Sequence, residues 1–484
     1  MKQLLILLLS LLSFRQINAQ QPDQKVKEKI SLVEKNLVGP VQSKGTSGWT
    51  IAQRMAHYKV NGLSIAVIHN YKIEWAKGYG WADKSNKTPV TTTTLFQAGS
   101  ISKSLNAAGI LKLNQQGKID MYADINQYLR SWKFPNHAVS KQKKISMANL
   151  LSHTAGLGVS GFSGYKSGQS IPTISQILNG SRPANSAPVR SVFAPGLRHE
   201  YSGGGTVISQ MIILDVTHQS YSDYMHQNVL QPLGMNQSTF TQPIVKNAKA
   251  SLATGYFENG KQVEGKYHIY PEQAAAGLWS TPTELARFII SIQKAYGGRS
   301  DQLLTPGMAK LMLTPYIDKK AALGTYIDNY NNEKYFQHSG LTYGYYCQYY
   351  GSLTGGNGVV IMSNSVNTDL VAEIVNSVAR VYGFAGLYRS RVEKDFSVSD
   401  AILQSYTGQY KLAPDAILTV SKKGSKLFIQ LTGDEKTPVF AETVNKFYLK
   451  AADAQLQFIK NSKGKITKLI LYQDGGANDA PKLN

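Results

Sequence analysis

Two stretches of the chain have the apolar spacing of β-strands. The first contains a run from Leu63 to Ile68 that is apolar except at Ser64, and an alternating run from Ile73 to Tyr79, with polar residues between them. Two such runs joined by a short polar turn are typical of a β-hairpin. The second stretch, residues 335–364, alternates strand-like runs with glycine turns. Both stretches are therefore predicted to be strands.

Helical spacing lies between the two strand regions and again after the second one. Apolar residues recur with helical spacing after Ser100, and this pattern ends at Gly117. Ser100 is therefore predicted at or near the N-terminus of a helix. A second helix is predicted after Ser146, which is a plausible N-cap residue. Further helices are predicted over residues 202–217, 282–296 and 370–382.

The pattern changes near residue 395, after which short alternating runs are separated by turn residues. Runs of this kind predict a small domain of β-strands curled into an antiparallel barrel. We therefore divide the mature chain into a first domain over residues 20–390 and a β domain over residues 395–484.

The first residues have the pattern of a secretory signal. Lys2 precedes an apolar run from Leu4 to Leu12, and Ala19 offers a small residue for cleavage. Because this run is too short to span a bilayer, a cleaved signal peptide over residues 1–19 is favoured over a membrane anchor. No later run reaches the length of a membrane span. The mature protein is expected in the periplasm or outside a bacterial cell.

Composition and charge restrict the partners that can be expected. Apolar residues make up 42% of the chain and charged residues only 17%, which is a globular composition. The formal charge is +22, but most lysines are spread singly, so the basic surface predicts no nucleic-acid partner. Cys347 is the only cysteine, which excludes an intramolecular disulfide.

Several catalytic motifs are absent. HEYSG, from His199 to Gly203, lacks the second histidine of a zinc-protease helix. The chain also has no G-x-S-x-G elbow and no G-x-x-x-x-G-K-[ST] phosphate loop. We therefore expect neither a metal nor another cofactor.

One of the S-x-x-K motifs in the sequence has the context expected of a catalytic serine and its base. The motif occurs at Ser100, Ser140, Ser163, Ser291 and Ser462, but only Ser100 follows a predicted strand pair and begins a predicted helix. A serine hydroxyl is a poor nucleophile without a neighbouring base. Lys103 lies one helical turn further on and on the same face. The N-terminal end of a helix also favours an oxyanion. Ser100 and Lys103 are therefore candidates for a nucleophile and its base.

Six blocks of sequence occur in an order that resembles a known superfamily. They are FQAGSISK, LLSHTAGL, FAPGLRHEYSGGG, PLGMNQSTF, AAGLWSTPTELARF and HSG. The chain resembles, from about Val60 to Tyr382, the class C-like branch of the serine β-lactamase and penicillin-binding-protein superfamily. That resemblance implies an α+β fold, with an antiparallel sheet flanked by helices and an all-helical subdomain. The chain from Tyr406 onward resembles a lipocalin-like β domain.

The resemblance also implies the roles of the site residues. Ser100 matches the acylated nucleophile, and Lys103 matches the lysine that deprotonates it or stabilises its alkoxide. Tyr201 matches the tyrosine of the Y-x-N element. The substrate-aligning strand is matched by His338, Ser339 and Gly340. The N–H of Leu341 would join that of Ser100 in an oxyanion hole.

The chain departs from the superfamily pattern at two positions. Gly203 stands where the Y-x-N element has asparagine, and His338 stands where many members have lysine. Glycine has no amide to hold the carbonyl on the acyl side of a substrate. Both departures point away from β-lactam hydrolysis and toward peptidases and esterases.

Each candidate also has a purely structural interpretation. Ser100 could cap a helix, Tyr201 could be a half-buried aromatic residue, and His338 could be a structural histidine. His153 in LLSHTAGL is interpreted as structural, and Cys347 as a core residue.

These observations predict an exported serine hydrolase that forms an acyl-enzyme on Ser100. The favoured substrate is a short peptide or amide, including peptides with a D-residue. The alternatives are a carboxylesterase or a β-lactamase. A non-catalytic protein that binds cell wall or peptide is the alternative from another class, but it would have no need of Lys103. The oligomeric state is not predicted.

Overall fold

A computed structural model describes most of the chain after the predicted signal segment. The described residues are 23–39, 41–42, 48–136, 139–141, 143–244, 251–330, 333–388, 390–392, 396–414, 416–450, 454–473 and 476–483. The predicted signal peptide over residues 1–19, with its cleavage site at Ala19, lies outside them.

Helices and strands are distributed unevenly along the described residues. The α-helices are α1 Gln24–Lys35, α2 Ile51–His57, α3 Ser102–Gln115, α4 Met147–Leu151, α5 Ile174–Asn179, α6 Gly203–Thr217, α7 Tyr221–Met225, α8 Gln273–Ala276, α9 Pro282–Tyr296, α10 Pro306–Met312, α11 Thr368–Tyr382 and α12 Asp400–Tyr406. The strands are β1 Val41–Gln42, β2 Gly62–His69, β3 Lys72–Asp83, β4 Thr88–Pro89, β5 Phe96–Gln97, β6 Trp279–Ser280, β7 Tyr326–Tyr330, β8 Glu333–Thr342, β9 Tyr345–Ser352, β10 Gly358–Ser363, β11 Arg391–Val392, β12 Gly408–Ala413, β13 Ala416–Lys423, β14 Lys426–Leu431, β15 Thr437–Ala441, β16 Lys446–Leu449, β17 Ala454–Lys460, β18 Ile466–Gln473 and β19 Gly476–Pro481.

The central sheet joins the two predicted strand regions. Its order is β4-β3-β2-β10-β9-β8-β7, with antiparallel neighbours throughout. The predicted hairpin is the pair β2 and β3, and the second predicted region supplies β8, β9 and β10. Between β5 and β6 the named elements of the described chain are all helical. The predicted α+β fold with a helical subdomain is confirmed.

The strand β2 is buried on both faces, and its side chains alternate between two hydrophobic layers. Ala66 and Ile68 belong to the layer that contains α3 and α9, whereas Ile65 and Val67 belong to the layer that contains α1 and α11. Successive side chains of a strand point to opposite faces, so a strand covered on both sides is apolar at nearly every position. This requirement explains the run that predicts β2, in which Ser64 is the only polar residue between Leu63 and Ile68.

The C-terminal strands form a second sheet that curls back on itself. The order runs from β12 to β19 in sequence, and the backbone N–H of Leu483 donates to the carbonyl of Gln409 at 2.7 Å. Helix α12 contributes Tyr406, whose ring stacks on Phe458 with centroids 4.1 Å apart. The predicted barrel is therefore present, and α12 is an element that the sequence pattern did not predict.

No helix in the described residues combines the length and the apolar character needed to cross a bilayer.

Candidate active site

Ser100 lies in a tight turn between β5 and α3. The turn is a 3-10 helix over Gly99–Ile101, and the α-helix begins at Ser102, two residues later than the predicted start. Gly99 has a φ of 53°, a conformation that glycine adopts without strain. The Oγ of Ser102 donates to the carbonyl of Gly99 at 2.6 Å and accepts from the N–H of Leu278 at 3.1 Å. These bonds fix the turn against the segment that leads into β6.

The structure brings Ser100 and Lys103 into direct contact. The Nζ of Lys103 lies 3.0 Å from the Oγ of Ser100, and it donates to the carbonyl of Ala275 at 2.8 Å. Lys103 is 3% exposed, whereas Ser100 is partly exposed. The amine therefore sits beneath a serine hydroxyl that solvent reaches.

The last residues of β8 run alongside this turn. Strand β7 pairs with β8 only as far as Gln337, so the backbone edge beyond it is not covered by β7. A Cβ placed on Gly340 would lie 1.8 Å from the carbonyl oxygen of Ala98 and 3.1 Å from the N of Ser100. Only glycine allows this approach, because no real Cβ comes so close to a backbone atom. Gly340 and Leu341 therefore lie against the turn that contains Ser100, and the oxyanion hole stays a prediction.

Histidine and tyrosine rings form a wall behind Lys103. The Tyr201 ring lies 5.0 Å from the Nζ of Lys103 and 4.3 Å from the ring of His153. His338 lies 6.4 Å from Tyr201 and 5.6 Å from Tyr326, measured between ring centroids. The structure thus places Tyr201 and His338 beside the Ser100 and Lys103 pair, although their roles stay predictions.

Both histidines of this wall are held neutral. Burial and the nearby Lys103 lower the pKa of His338 to about 3, and its Nδ1 pairs with the carbonyl of Ser339 at 2.6 Å. Burial also lowers the pKa of His153, whose Nδ1 accepts from the N–H of Ser202 at 3.2 Å. The strand β8 therefore offers no cation to a substrate from His338.

Ser100 and Lys103 open onto a cleft of about 380 Å³. Its other walls come from separate loops and from the end of the central sheet. They are Gly161, Phe162, Phe257, Tyr270, Ala275, Ala276, Leu341, Thr342, Tyr343, Gly344 and Val366. Leu341 is the only one of these wall residues that the sequence predicted as a site residue, and Ala275 and Ala276 lie in the block AAGLWSTPTELARF. Phe162, Phe257 and Tyr343 lie in loops, and their positions in the folded chain do not follow from a local pattern.

The structure also shows where Ser146, Cys347 and Gly203 lie. Ser146 caps α4 by accepting from the N–H of Asn149. Cys347 is buried in the core, and burial raises the pKa of its thiol to about 12, as suits a structural role. Gly203 is the first residue of α6, after the N-cap Ser202.

A family model described as Beta-lactamase matches residues 50–381, which is most of the chain. The chain therefore belongs to the beta-lactamase family, a family of serine hydrolases, and the predicted resemblance and class of enzyme are confirmed. A second model, described as a domain of unknown function (DUF3471), matches residues 393–482. The exact limits of the two predicted domains stay predictions.

Curated relatives extend over different shares of the chain. A penicillin-binding protein of Bacillus subtilis (strain 168) is 21% identical over 87% of this chain and 95% of its own length. Protein flp of Staphylococcus aureus (strain N315) is 26% identical over 46% of this chain and 42% of its own length.

Solved structures share the fold at low identity. The octameric penicillin-binding protein homologue from Pyrococcus abyssi aligns with a TM-score of 0.61 and 22% identity, over 89% of this chain and 98% of that one. The D-amino acid amidase from Ochrobactrum anthropi SV3 aligns with a TM-score of 0.58 and 22% identity, over 74% of this chain and 99% of that one.

The close approach at Gly340 yields a first prediction. Gly340→Ala forces β8 away from Ser100, and a misplacement of about 1 Å lowers kcat/KM for an activated ester by about 100-fold. The matched control is Gly307→Ala, because a Cβ there meets no atom within 4 Å. Gly307→Ala should keep full activity. A Gly340→Ala enzyme with unchanged kcat/KM would contradict the assigned contact.

The lowered pKa of His338 yields a second prediction, on stability. In the unfolded chain a histidine takes up a proton near pH 6.5, but folded His338 does so only near pH 3. The unfolded state therefore binds more protons between these values, so the free energy of unfolding falls as the pH falls through that window. His338→Gln removes this loss. When the pH falls from about 7.5 to about 5, the free energy of unfolding of the variant should therefore rise by about 2 kcal/mol relative to that of wild type.

Urea unfolding at both pH values measures this gain. His57→Gln is the control, because the His57 side chain is exposed. A His338→Gln difference that does not change with pH would show that folded His338 is protonated like a solvated histidine.

Proposed function

We propose that this protein hydrolyses short peptides, amides or esters through an acyl-enzyme formed on Ser100. The observation that supports this most directly is the 3.0 Å contact between the Oγ of Ser100 and the Nζ of buried Lys103 at the cleft. A lysine held in this way either takes the proton of the serine or stabilises its alkoxide. A non-catalytic binding protein would have no use for such a pair.

In the proposed reaction, Lys103, the two backbone N–H groups and Tyr201 each have a separate role. Oγ of Ser100 attacks the substrate carbonyl as its proton leaves toward Lys103, and the oxyanion lies between the N–H groups of Ser100 and Leu341. The leaving group departs with a proton, for which Tyr201 is the proposed relay. Water then attacks the carbonyl carbon of the ester on Ser100, the bond from that carbon to Oγ breaks, and a proton of the water passes to Oγ as the acid is released.

Peptides and amides are placed ahead of β-lactams as substrates. The D-amino acid amidase of similar fold supports an amide substrate, including one with a D-residue. Gly203 supplies no side-chain amide for a penicillin acyl group, and a lost hydrogen bond of this kind weakens recognition by about 0.5 to 1.5 kcal/mol. Measuring kcat/KM for a peptide amide, a carboxylic ester and a β-lactam with one enzyme preparation distinguishes a peptidase from a carboxylesterase or a β-lactamase.

The proposal includes export to the periplasm or the cell exterior. It is supported by the basic residue, short apolar run and Ala19 in the first residues of the sequence.

Two substitutions test the proposed roles. Ser100→Ala should abolish acyl-enzyme formation with an activated ester, and Lys103→Ala should reduce turnover by about 10² to 10⁴-fold, as for loss of a positioned acid or base. Thermal unfolding of each variant separates loss of chemistry from loss of fold.

The chain contains its own matched control for this pair. Ser291 and Lys294 have the same spacing within α9, away from the cleft. Ser291→Ala and Lys294→Ala should therefore retain activity. Full turnover by Ser100→Ala, or a loss below about tenfold in Lys103→Ala, would refute the assigned roles.

A further inference from the structure

The walls of the cleft are apolar and aromatic. Its large apolar and aromatic side chains are those of Phe162, Phe257, Tyr270, Tyr343 and Leu341. Among the described residues that line the cleft, Lys103 is the only lysine, and there is no arginine, aspartate or glutamate. The amine of Lys103 already contacts Ser100 and the carbonyl of Ala275. A substrate group in this cleft therefore meets hydrophobic surface and no carboxylate.

The aromatic walls are held in place by contacts with one another. The ring of Tyr343 stacks on His268 with centroids 4.3 Å apart and meets the edge of Phe257 at 6.1 Å. The hydroxyl of Tyr270 accepts from the backbone N–H of Tyr343 at 3.3 Å. Because these residues fix one another, the apolar lining exists before a substrate binds.

Phe162 lies where the missing asparagine side chain would begin. A Cβ placed on Gly203 would lie 3.1 Å from the Phe162 ring and 3.0 Å from the carbonyl oxygen of Ser160. Gly203 has no positive φ, so the obstacle to a side chain here is this contact and not backbone strain. The acyl side of the cleft thus has an aromatic ring where the superfamily pattern has a polar amide.

Nearby charged groups are not available to a substrate. Both carboxylate oxygens of Glu272, behind Tyr270, are buried, and burial raises its pKa to about 7. Glu264 is paired with Lys166 at 2.6 Å. His338 is neutral, as shown above. An ammonium on the acyl group would find no carboxylate among the described residues that line the cleft.

We propose that the cleft binds an uncharged apolar or aromatic acyl group, and that it selects against substrates with a free ammonium beside the carbonyl that Ser100 attacks. This inference rests on the proposed acyl-enzyme function. Moving an unpaired charge from water into an apolar site is strongly unfavourable, whereas an acylated amine carries no charge. Among peptides, those with a blocked amino terminus are therefore favoured.

Three p-nitrophenyl esters with the same leaving group test this preference. They are the ester of 3-phenylpropionic acid, the ester of D-phenylalanine and the ester of N-acetyl-D-phenylalanine. At about pH 6, where the α-amine is charged, kcat/KM for the D-phenylalanine ester should be at least about 100-fold below that of the 3-phenylpropionate. The N-acetyl ester should recover at least about tenfold of this loss, because its nitrogen is neutral.

A pair of variants places the effect in the cleft. Phe162→Asp adds a carboxylate to the wall and should raise the ratio of ammonium ester to neutral ester by at least about tenfold. Phe162→Leu keeps the wall apolar and should leave the ratio near that of wild type. An unchanged ratio in folded Phe162→Asp would overturn the assignment of Phe162 to the acyl site.

The outcomes separate this inference from the proposed function. If wild type cleaves the ammonium ester as fast as the neutral ester, and Ser100→Ala abolishes both activities, the acyl-enzyme stands and the neutral-acyl inference is wrong. If Ser100→Ala still cleaves all three esters, the proposed function is wrong. If wild type cleaves none of them, both fail.

Discussion

The contact between β8 and the Ser100 turn is the constraint on which the rest of the site depends. A side chain on Gly340 would overlap the carbonyl of Ala98, and one on Gly99 would lie 2.8 Å from the N of Leu341. Two glycines therefore let two backbones approach more closely than any other residues allow. This approach brings the backbone of Gly340 and Leu341 against the turn that contains Ser100, directly before the helix that carries Lys103.

The surroundings of Lys103 explain how a buried amine is tolerated at this position. Its Nζ has the hydroxyl of Ser100 and the carbonyl of Ala275 as partners, so burial leaves it hydrogen-bonded. The wall behind it contains His153 and His338, both neutral because burial lowers their pKa. A buried protonated histidine without a paired carboxylate would be strongly unfavourable. Neutral histidines fill the space without that cost.

Sequence patterns predicted the parts of the molecule that local physics determines. The strand β2 follows from its run of apolar residues, and the N-cap of α4 follows from Ser146. Ser100 and Lys103 were found because this pair, unlike the four others with the same spacing, follows a predicted strand pair and begins a predicted helix. The position of Phe162 in the cleft was not predicted, because it depends on the conformation of a loop that local patterns do not determine. Helix α12 was missed because a segment of seven residues carries too little periodicity.

We propose that Ser100, among the five serines with a lysine three residues later, is the one that becomes acylated. The decisive experiment is to label the wild-type protein with a fluorophosphonate and to map the adduct by peptide mass spectrometry. We expect a single adduct on the peptide that contains Ser100, and strongly reduced labelling in Lys103→Ala. An adduct at Ser140, Ser163, Ser291 or Ser462, or continued ester hydrolysis without an adduct on Ser100, would contradict it.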